Sequence, residues 1–202
     1  MLQTQTVVPD LLELLKKIMS EELFSDFNLV GGTSLSLQIG HRNSIDIDLF
    51  GNSAIDEVLF IEKLNTFGEV QVIQATKNIL ITQINGLKVD FVNYKYPLLK
   101  DSLHIENIRM LSTADIAAMK LNAIAGRGSK KDFIDLYFLL DHFSLPQIFN
   151  FYDKKFKDGS RFMVEKSLTY FEDADNQLEP KMFKPFDWET CKQKIIEEVL
   201  KL

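Results

Sequence analysis

The chain has little of what marks a secreted or membrane protein. Its 202 residues include one cysteine, Cys191, which excludes an internal disulfide and argues against a thiolate metal cluster. The opening residues, MLQTQTVVPD, have no basic region followed by an apolar stretch, and no apolar run approaches the roughly 18 residues of a membrane span. We therefore expect a cytoplasmic protein that does not interact with a membrane.

The chain also lacks an excess of positive charge. It has 23 Lys and Arg against 29 Asp and Glu, a formal net charge of −6 and a pI of about 5.1. A protein that coats nucleic acid would be basic, so contact with RNA or a nucleotide requires a local basic patch or a metal ion. Two basic clusters are present, GRGSKK (126–131) and KKFKDGSR (154–161), and either one taken alone is typical of solvated loop charge.

Both common phosphate-binding motifs are missing, since the chain has no GKS or GKT and no GxGxxG. A short strand, FNLV (27–30), instead leads into Gly31-Gly32 and then Thr33-Ser34 at a predicted helix start. Glycines let the backbone approach a ligand, and the N–H groups and positive dipole end of the helix favour an anion. This arrangement predicts a phosphate site, although a glycine turn before a helix is often only a tight turn.

Two aspartates occupy an apolar strand. SIDIDLF (44–50) alternates strictly, so Asp46 and Asp48 project to one face while Ile45, Ile47 and Leu49 face the core. Adjacent carboxylates repel unless a cation neutralises them, and Mg²⁺ commonly binds one or two carboxylates together with phosphate oxygens. The alternative is an edge strand with a solvated polar face. The phosphate site upstream favours a nucleotide held with Mg²⁺.

A third acid lies in the strand LKVDFVNY (87–94). Asp90 is on the opposite face from Val89 and Phe91, and the strand follows Asn85-Gly86, a strong hairpin signal. Two metals in an in-line displacement need such a third carboxylate, and Asp90 is the candidate. The alternative is an exposed strand residue.

The chain changes character near residue 111. Before it, helix and strand signals alternate; after it, almost every segment is helical. The predicted elements of the first half are a helix at 9–24, strands at 27–30 and 44–50, a helix opened by Ser53 and Asp56, and the strands EVQVIQA, NILITQI and LKVDFVNY. Predicted helix starts in the second half are Ser112, Ser129, Ser144, Ser160 and Asp187. The stretch 95–111 is the predicted boundary.

These motifs together resemble the AbiEii/AbiGii toxin family within the DNA polymerase β-like nucleotidyltransferases. The resemblance is carried by GGTSL (31–35), HRNSIDIDLF (41–50), VDF (89–91) and KLNAIAGRGSKKDFIDLYFLL (120–140). It implies an α/β (α+β) fold, with a small mixed sheet flanked by helices over 1–110. A helical region over 111–202 would pack on this core and complete the nucleotide site.

The resemblance also implies roles for single residues. Gly31, Gly32, Thr33 and Ser34 would hold the triphosphate, with a further phosphate contact from Arg42. Asp46, Asp48 and Asp90 would bind Mg²⁺ or Mn²⁺, and Asp90 would also act as base toward the acceptor hydroxyl. In the helical half, Lys120 would bind nucleotide phosphate, and Asp132 and Asp135 match the acids of a KDxxDL motif. The implied catalytic set is Asp46, Asp48, Asp90, Lys120 and Asp135.

Alternatives stay open for the residues of the helical half. Lys120 also fits a solvated helix lysine. Asp132 stands three residues after Ser129 and also fits a helix cap, which favours Asp135 as the site acid.

The function implied is a Mg²⁺-dependent nucleotidyltransferase that moves a nucleoside monophosphate from an NTP to an acceptor hydroxyl and releases pyrophosphate. The resemblance implies a toxin with a separate antitoxin protein, and it favours the 3′ end of tRNA as acceptor. The acidic pI keeps a small molecule or a protein hydroxyl open as acceptor. A non-catalytic nucleotide-binding regulator is the other alternative, but such a module has no need for three acids.

Overall fold

The computed structural model describes residues 1–202 and divides the chain into two compact units. The first unit comprises 1–95 and 102–111, and the second comprises 96–101 and 112–202. The sequence predicts the boundary in the stretch 95–111, between regions 1–110 and 111–202. The structure adds that the chain enters the second unit briefly at 96–101 and returns before it enters the helical region.

The first unit is built on one seven-stranded mixed sheet. Its strand order is β3-β4-β5-β2-β1-β7-β6, with parallel pairing between β2 and β5 and between β1 and β7 and antiparallel pairing elsewhere. The strands are β1 Asn28–Leu29, β2 Asp46–Gly51, β3 Val70–Thr76, β4 Ile79–Ile84, β5 Leu87–Asn93, β6 Leu103–Ile105 and β7 Ile108–Met110. The predicted mixed sheet is confirmed.

Three helices belong to the first unit: α1 Pro9–Ser20, α2 Gly31–Ile39 and α3 Glu57–Leu64. The predicted apolar face of α1 is confirmed as buried. The prediction that Ser53 helps to open α3 is wrong, because Ser53 Oγ donates to Asp26 while Asp56 alone caps α3 by accepting from Leu59 N–H.

Four phenylalanines form the centre of the first unit's core. Phe24, Phe27, Phe60 and Phe91 pack with ring centroids 5.0 to 5.7 Å apart, mostly edge to face. Phe91 belongs to β5, so this cluster holds one face of β5 against the core. Since successive strand residues alternate in direction, Asp90 must lie on the other face.

The β4–β5 hairpin turns at Asn85 and Gly86, as predicted. Both residues have positive φ, 49° and 84°, as expected of a type I′ turn, which matches the twist of the flanking strands. The tight turn fixes the register of β4 against β5, with Ile81 opposite Asp90.

The second unit is helical. Its helices are α4 Thr113–Gly126, α5 Lys130–Leu139, α6 Leu145–Lys155, α7 Arg161–Ser167, α8 Glu172–Asp175 and α9 Trp188–Val199. Of the five predicted helix starts, Ser112, Ser144, Ser160 and Asp187 accept a backbone N–H as caps, whereas Ser129 makes no such bond.

None of the helices in either unit has the length and apolar character that crossing a bilayer demands.

A buried ion pair anchors 96–101 to the second unit. Lys155 Nζ lies 2.8 Å from Asp115 Oδ1 and donates to Pro97 O at 2.9 Å, and Leu99 N–H donates to the same carboxylate oxygen at 2.9 Å. Both charged side chains are fully buried. The interpretation of 154–161 as solvated charge is therefore wrong for Lys155.

Candidate active site

Parallel pairing of β2 with β5 brings the predicted acids together on one face of the sheet. Asp48 lies directly opposite Asp90, and Asp46 lies opposite Lys88. The residues between them, including Ile47 and Val89, are fully buried on the other face.

Ile45 departs from this pattern. It is 51% exposed, so its predicted place in the core is wrong. The strand begins only at Asp46, and the strand alternation therefore does not extend to Ile45.

Gly31 brings the start of α2 against the Asp48 carboxylate. Its φ is +67°, and a Cβ at this position would lie 2.6 Å from Asp48 Oδ2. Val30 N–H also donates to Asp48 O at 2.9 Å. Only glycine fits here, because a side chain would meet both backbone strain and the carboxylate.

Arg42 lies beside the first turn of the same helix. It is almost fully buried, and its guanidinium packs against Gly32 closely enough to exclude a Cβ there. Its Nη1 donates to Asn43 O at 2.8 Å. The positive dipole end of α2 and the Arg42 charge thus lie together, which favours an anion.

The hydroxyls of Thr33 and Ser34 are committed within the protein. Thr33 Oγ1 donates to Asp46 O and lies 2.8 Å from Ser44 Oγ, while Gln38 Nε2 donates to Ser34 Oγ at 3.0 Å. Both residues are fully buried. Phosphate contact at these positions would therefore come from backbone N–H groups of the first turn of α2, where Val30 supplies no side-chain cap.

Sequence reasoning missed Lys88, which lies among the three acids. Its Nζ is 2.5 Å from Asp90 Oδ2. Partial burial lowers the pKa of Lys88, but the hydrogen bond to Asp90 and the charges of Asp90, Asp48 and Asp46 outweigh it, so the pKa lies above its ordinary value. Strand alternation could have found this residue, since Lys88 stands two places before Asp90 and shares its face.

The donor set suits a divalent cation in its chemistry. Asp46, Asp48 and Asp90 supply only carboxylate oxygens, which Mg²⁺ and Mn²⁺ prefer, and Asp90 Oδ1 is buried without a hydrogen-bond partner. A buried carboxylate oxygen of this kind calls for a bound ion or proton donor. The acids do not by themselves form a three-ligand metal arrangement, as no group of three His, Cys, Asp or Glu side chains does so. Lys88 contacts the third acid instead.

In the second unit, Lys120 is buried between two acids. Its Nζ lies 2.9 Å from Asp132 Oδ1 and 2.6 Å from Asp135 Oδ2. Lys120 is 4% exposed and both aspartates are fully buried. The interpretation of Lys120 as a solvated helix lysine is therefore wrong.

Asp132 is the centre of a wider network rather than a helix cap. Arg127, 69% exposed, donates to both of its oxygens at 2.8 and 3.0 Å, and Ser129 Oγ donates at 2.7 Å. Burial alone would raise the pKa of Asp132, but Lys120, Arg127 and Ser129 together hold it well below its usual range. Arg127 was not among the predicted site residues, although it stands five residues before Asp132 in GRGSKKD.

These features define a class of protein. A Gly-Gly helix start lies against a DxD strand, and a third acid lies beside that strand in parallel register, all on one mixed sheet. This is a nucleotidyltransferase. Residues 13–201 match the sequence model of the family described as "Nucleotidyl transferase AbiEii toxin, Type IV TA system". The chain belongs to this family, and the family resemblance drawn from the motifs is confirmed.

One relative and two solved structures are similar to this chain in sequence or in fold. An uncharacterized protein of Aquifex aeolicus (strain VF5) is 36% identical over 172 residues, which is 82% of this chain and 84% of the relative. The nucleotidyltransferase toxin MenT4 of Mycobacterium tuberculosis H37Rv has a similar fold, with a TM-score of 0.63 at 16% identity over 96% of this chain and 83% of its own. JHP933 of Helicobacter pylori gives a TM-score of 0.60 at 15% identity over 95% and 88%.

Proposed function

We propose that this nucleotidyltransferase uses Mg²⁺ to transfer a nucleoside monophosphate from an NTP to the 3′ end of tRNA, with release of pyrophosphate. The observation that carries the proposal is the position of Asp48, which lies opposite Asp90 and against Gly31 at the start of α2. The proposed phosphate site at the start of α2 and the proposed metal site at the acids would thus be adjacent on one sheet face. That combination suits a metal-bound triphosphate.

The metal would be held by Asp46, Asp48 and Asp90. When bound, the ion neutralises the charge that develops on the transferred phosphate and on the leaving pyrophosphate. Mn²⁺ would serve as well, since the donors are all carboxylate oxygens.

The remaining steps belong to residues of the chain. The first-turn N–H groups of α2 and the Arg42 guanidinium bind the triphosphate and orient it toward the acids. Asp90, which the family resemblance marks as the base, accepts the proton of the acceptor hydroxyl. Gly31 keeps the phosphates close to Asp48 by leaving no side chain between them.

The tRNA acceptor is supported by the family resemblance and by exposed basic residues in the second unit. Lys131, Lys154 and Lys157 are exposed and belong to the two basic clusters. The net charge of −6 favours a different acceptor, a small molecule or a protein hydroxyl, because broad contact with RNA is normally made by a basic surface.

Membership of a toxin family supports a cellular role. We propose that the enzyme arrests growth from the cytoplasm unless a separate cognate antitoxin protein counteracts it. The single cysteine, Cys191, is a free thiol, which is compatible with a reducing compartment.

Incubation with each radiolabelled NTP, Mg²⁺ and an acceptor mixture tests the proposal. The mixture holds total tRNA, cellular protein and a small-molecule fraction, which are separated before counting. We expect label at the tRNA 3′ end. No label should appear when the terminal ribose of the tRNA has been oxidised before the incubation. Label in the protein or small-molecule fraction would show that the acceptor is a protein or a small molecule and not tRNA. Absence of label from all three fractions would contradict the proposal.

A further inference from the structure

Lys88 gives the acid cluster of the first unit a positive charge of its own. Its ammonium is hydrogen-bonded to Asp90 at 2.5 Å, and the strand register places it opposite Asp46. The Lys88 side chain is 42% exposed, whereas that of Asp90 is 13% exposed. A partly exposed cation therefore holds a carboxylate that is itself mostly buried.

The hydrogen bond between Lys88 and Asp90 should weaken metal binding. A divalent ion at Asp90 would lie beside the ammonium, and two positive charges at such a distance in a partly buried site repel strongly. The ammonium also occupies Oδ2, one of only two oxygens that Asp90 can offer. In the absence of nucleotide, Lys88 and the metal therefore compete for the same acid.

A triphosphate would remove the competition. Lysine carries a compact charge on a flexible four-carbon stem and is a common phosphate ligand. Lys88 is on the same sheet face as Asp48, whose carboxylate lies against the start of α2. Phosphates bound at that helix start would offer the ammonium a new anionic partner near the old one.

We propose that the Lys88 ammonium pairs with Asp90 in the nucleotide-free enzyme and moves from Asp90 to the triphosphate when nucleotide binds. Metal and nucleotide would then bind cooperatively. This inference rests on the proposed function of the site. Lys88 is then a positioning residue that keeps the free enzyme from filling its acids with metal. By reciprocity, the metal strengthens nucleotide binding by the same factor by which nucleotide strengthens metal binding.

The test is calorimetric titration of Mn²⁺ into the nucleotide-free protein. We expect Lys88→Met to bind Mn²⁺ at least about tenfold more tightly than wild type, because the competing cation is gone. Lys88→Arg keeps the charge and should stay near wild type. Lys77→Met is the matched control, since Lys77 is exposed in the turn between β3 and β4, and its Mn²⁺ affinity should be unchanged.

A second titration adds a saturating non-hydrolysable NTP analogue. In wild type the analogue should tighten Mn²⁺ binding through both its own phosphates and the release of Asp90. In Lys88→Met only the contribution of the phosphates remains, so the ratio of the two affinities should be smaller than in wild type.

Unchanged or weaker Mn²⁺ binding in nucleotide-free Lys88→Met would overturn the inference, as would the absence of Mn²⁺ binding in both proteins. Binding seen only in Lys88→Met would support it strongly. These outcomes do not depend on transfer activity. Failure of wild type to label any acceptor would count against the proposed function, while the Mn²⁺ titrations would still decide the role of Lys88.

Discussion

Asp48 and Asp90 are direct neighbours across the parallel β2–β5 pair, although they lie far apart in the chain. Parallel strands cannot be joined by a tight turn, so the chain between them forms α3, β3 and β4. The site thus depends on the whole sheet rather than on one local motif. Substitutions at the acids should therefore change nucleotide binding or transfer, whereas substitutions at buried supporting residues should change folding stability.

Asp46 and Asp48 should be needed for metal-dependent nucleotide binding. In Asp46→Asn/Asp48→Asn two charged metal ligands are lost. Loss of a residue that only supports a metal ligand typically lowers metal affinity by roughly 10–100-fold. Loss of two direct ligands should lower the Mg²⁺-dependent part of the NTP affinity by at least as much. Equilibrium binding of a fluorescent NTP with and without Mg²⁺ measures it. The exposed Asp101→Asn is the charge-matched control, and wild-type Mg²⁺–NTP affinity in the double variant would show that the DxD assignment is wrong.

Nucleotide binding should require the absence of a side chain at Gly31, and not only the positive φ that glycine allows there. Gly31→Ala meets positive φ and a carboxylate oxygen 2.6 Å from the new Cβ, whereas Gly86→Ala meets positive φ with nothing within 4 Å. Positive φ costs a side chain about 1–2 kcal/mol, so both variants should lose stability. Only Gly31→Ala should also lose NTP affinity. Equal NTP affinity in the two variants would remove the start of α2 from the site.

Lys120→Ala should destabilise the protein strongly. The substitution leaves Asp135 buried without its lysine partner, and breaking a buried ion pair costs about 3–5 kcal/mol. Denaturant unfolding measures the change, with the exposed Lys131→Ala expected within about 0.5 kcal/mol of wild type as control. The double variant Lys120→Ala/Asp135→Asn removes both charges of the pair. If Lys120 also binds nucleotide, this double variant should recover stability but not activity. Near-wild-type stability in Lys120→Ala would contradict the buried network.

The Asp132 network should make the protein sensitive to acid. The pKa of Asp132 in the folded state lies well below its ordinary 3.8. A depressed pKa contributes stability that is complete above the ordinary value and is lost as pH falls below it, by at most about 1.4 kcal/mol per pH unit. The free energy of unfolding measured between pH 6 and about pH 3 should fall less steeply for Asp132→Asn than for wild type. Parallel curves would show that Asp132 is not held ionised by its neighbours.

Local signals in the sequence predicted much of the first unit. Period-two alternation placed Asp46, Asp48 and Asp90 on polar strand faces, and Asn85-Gly86 predicted the hairpin. These signals succeed because side-chain direction along a strand and φ in a tight turn are set by the nearest residues. The capped helix starts of the second unit were predictable for the same reason.

Long-range pairings were not predictable in this way. Alternation assigns Lys88 to the polar face, but it does not say that Lys88 would pair with Asp90. The burial of Lys120 and Lys155 depends on carboxylates that other helices supply, and a single lysine in a helix carries no mark of such a partner. Buried charges are normally paired, and the partner is known only when the tertiary contacts are known.

Asp90→Ala tests the central claim most directly. A base or metal ligand acts mainly in the transition state, so its removal should spare most NTP affinity while transfer falls by at least about a hundredfold. The decisive measurement is the single-turnover rate of nucleotide transfer at saturating NTP and Mg²⁺, with NTP affinity determined on the same preparation. We predict measurable NTP binding, a rate at least about a hundredfold below wild type, and no growth arrest when Asp90→Ala is expressed without antitoxin. Transfer at the wild-type rate, with growth arrest retained, would contradict the assignment of Asp90 to the active site.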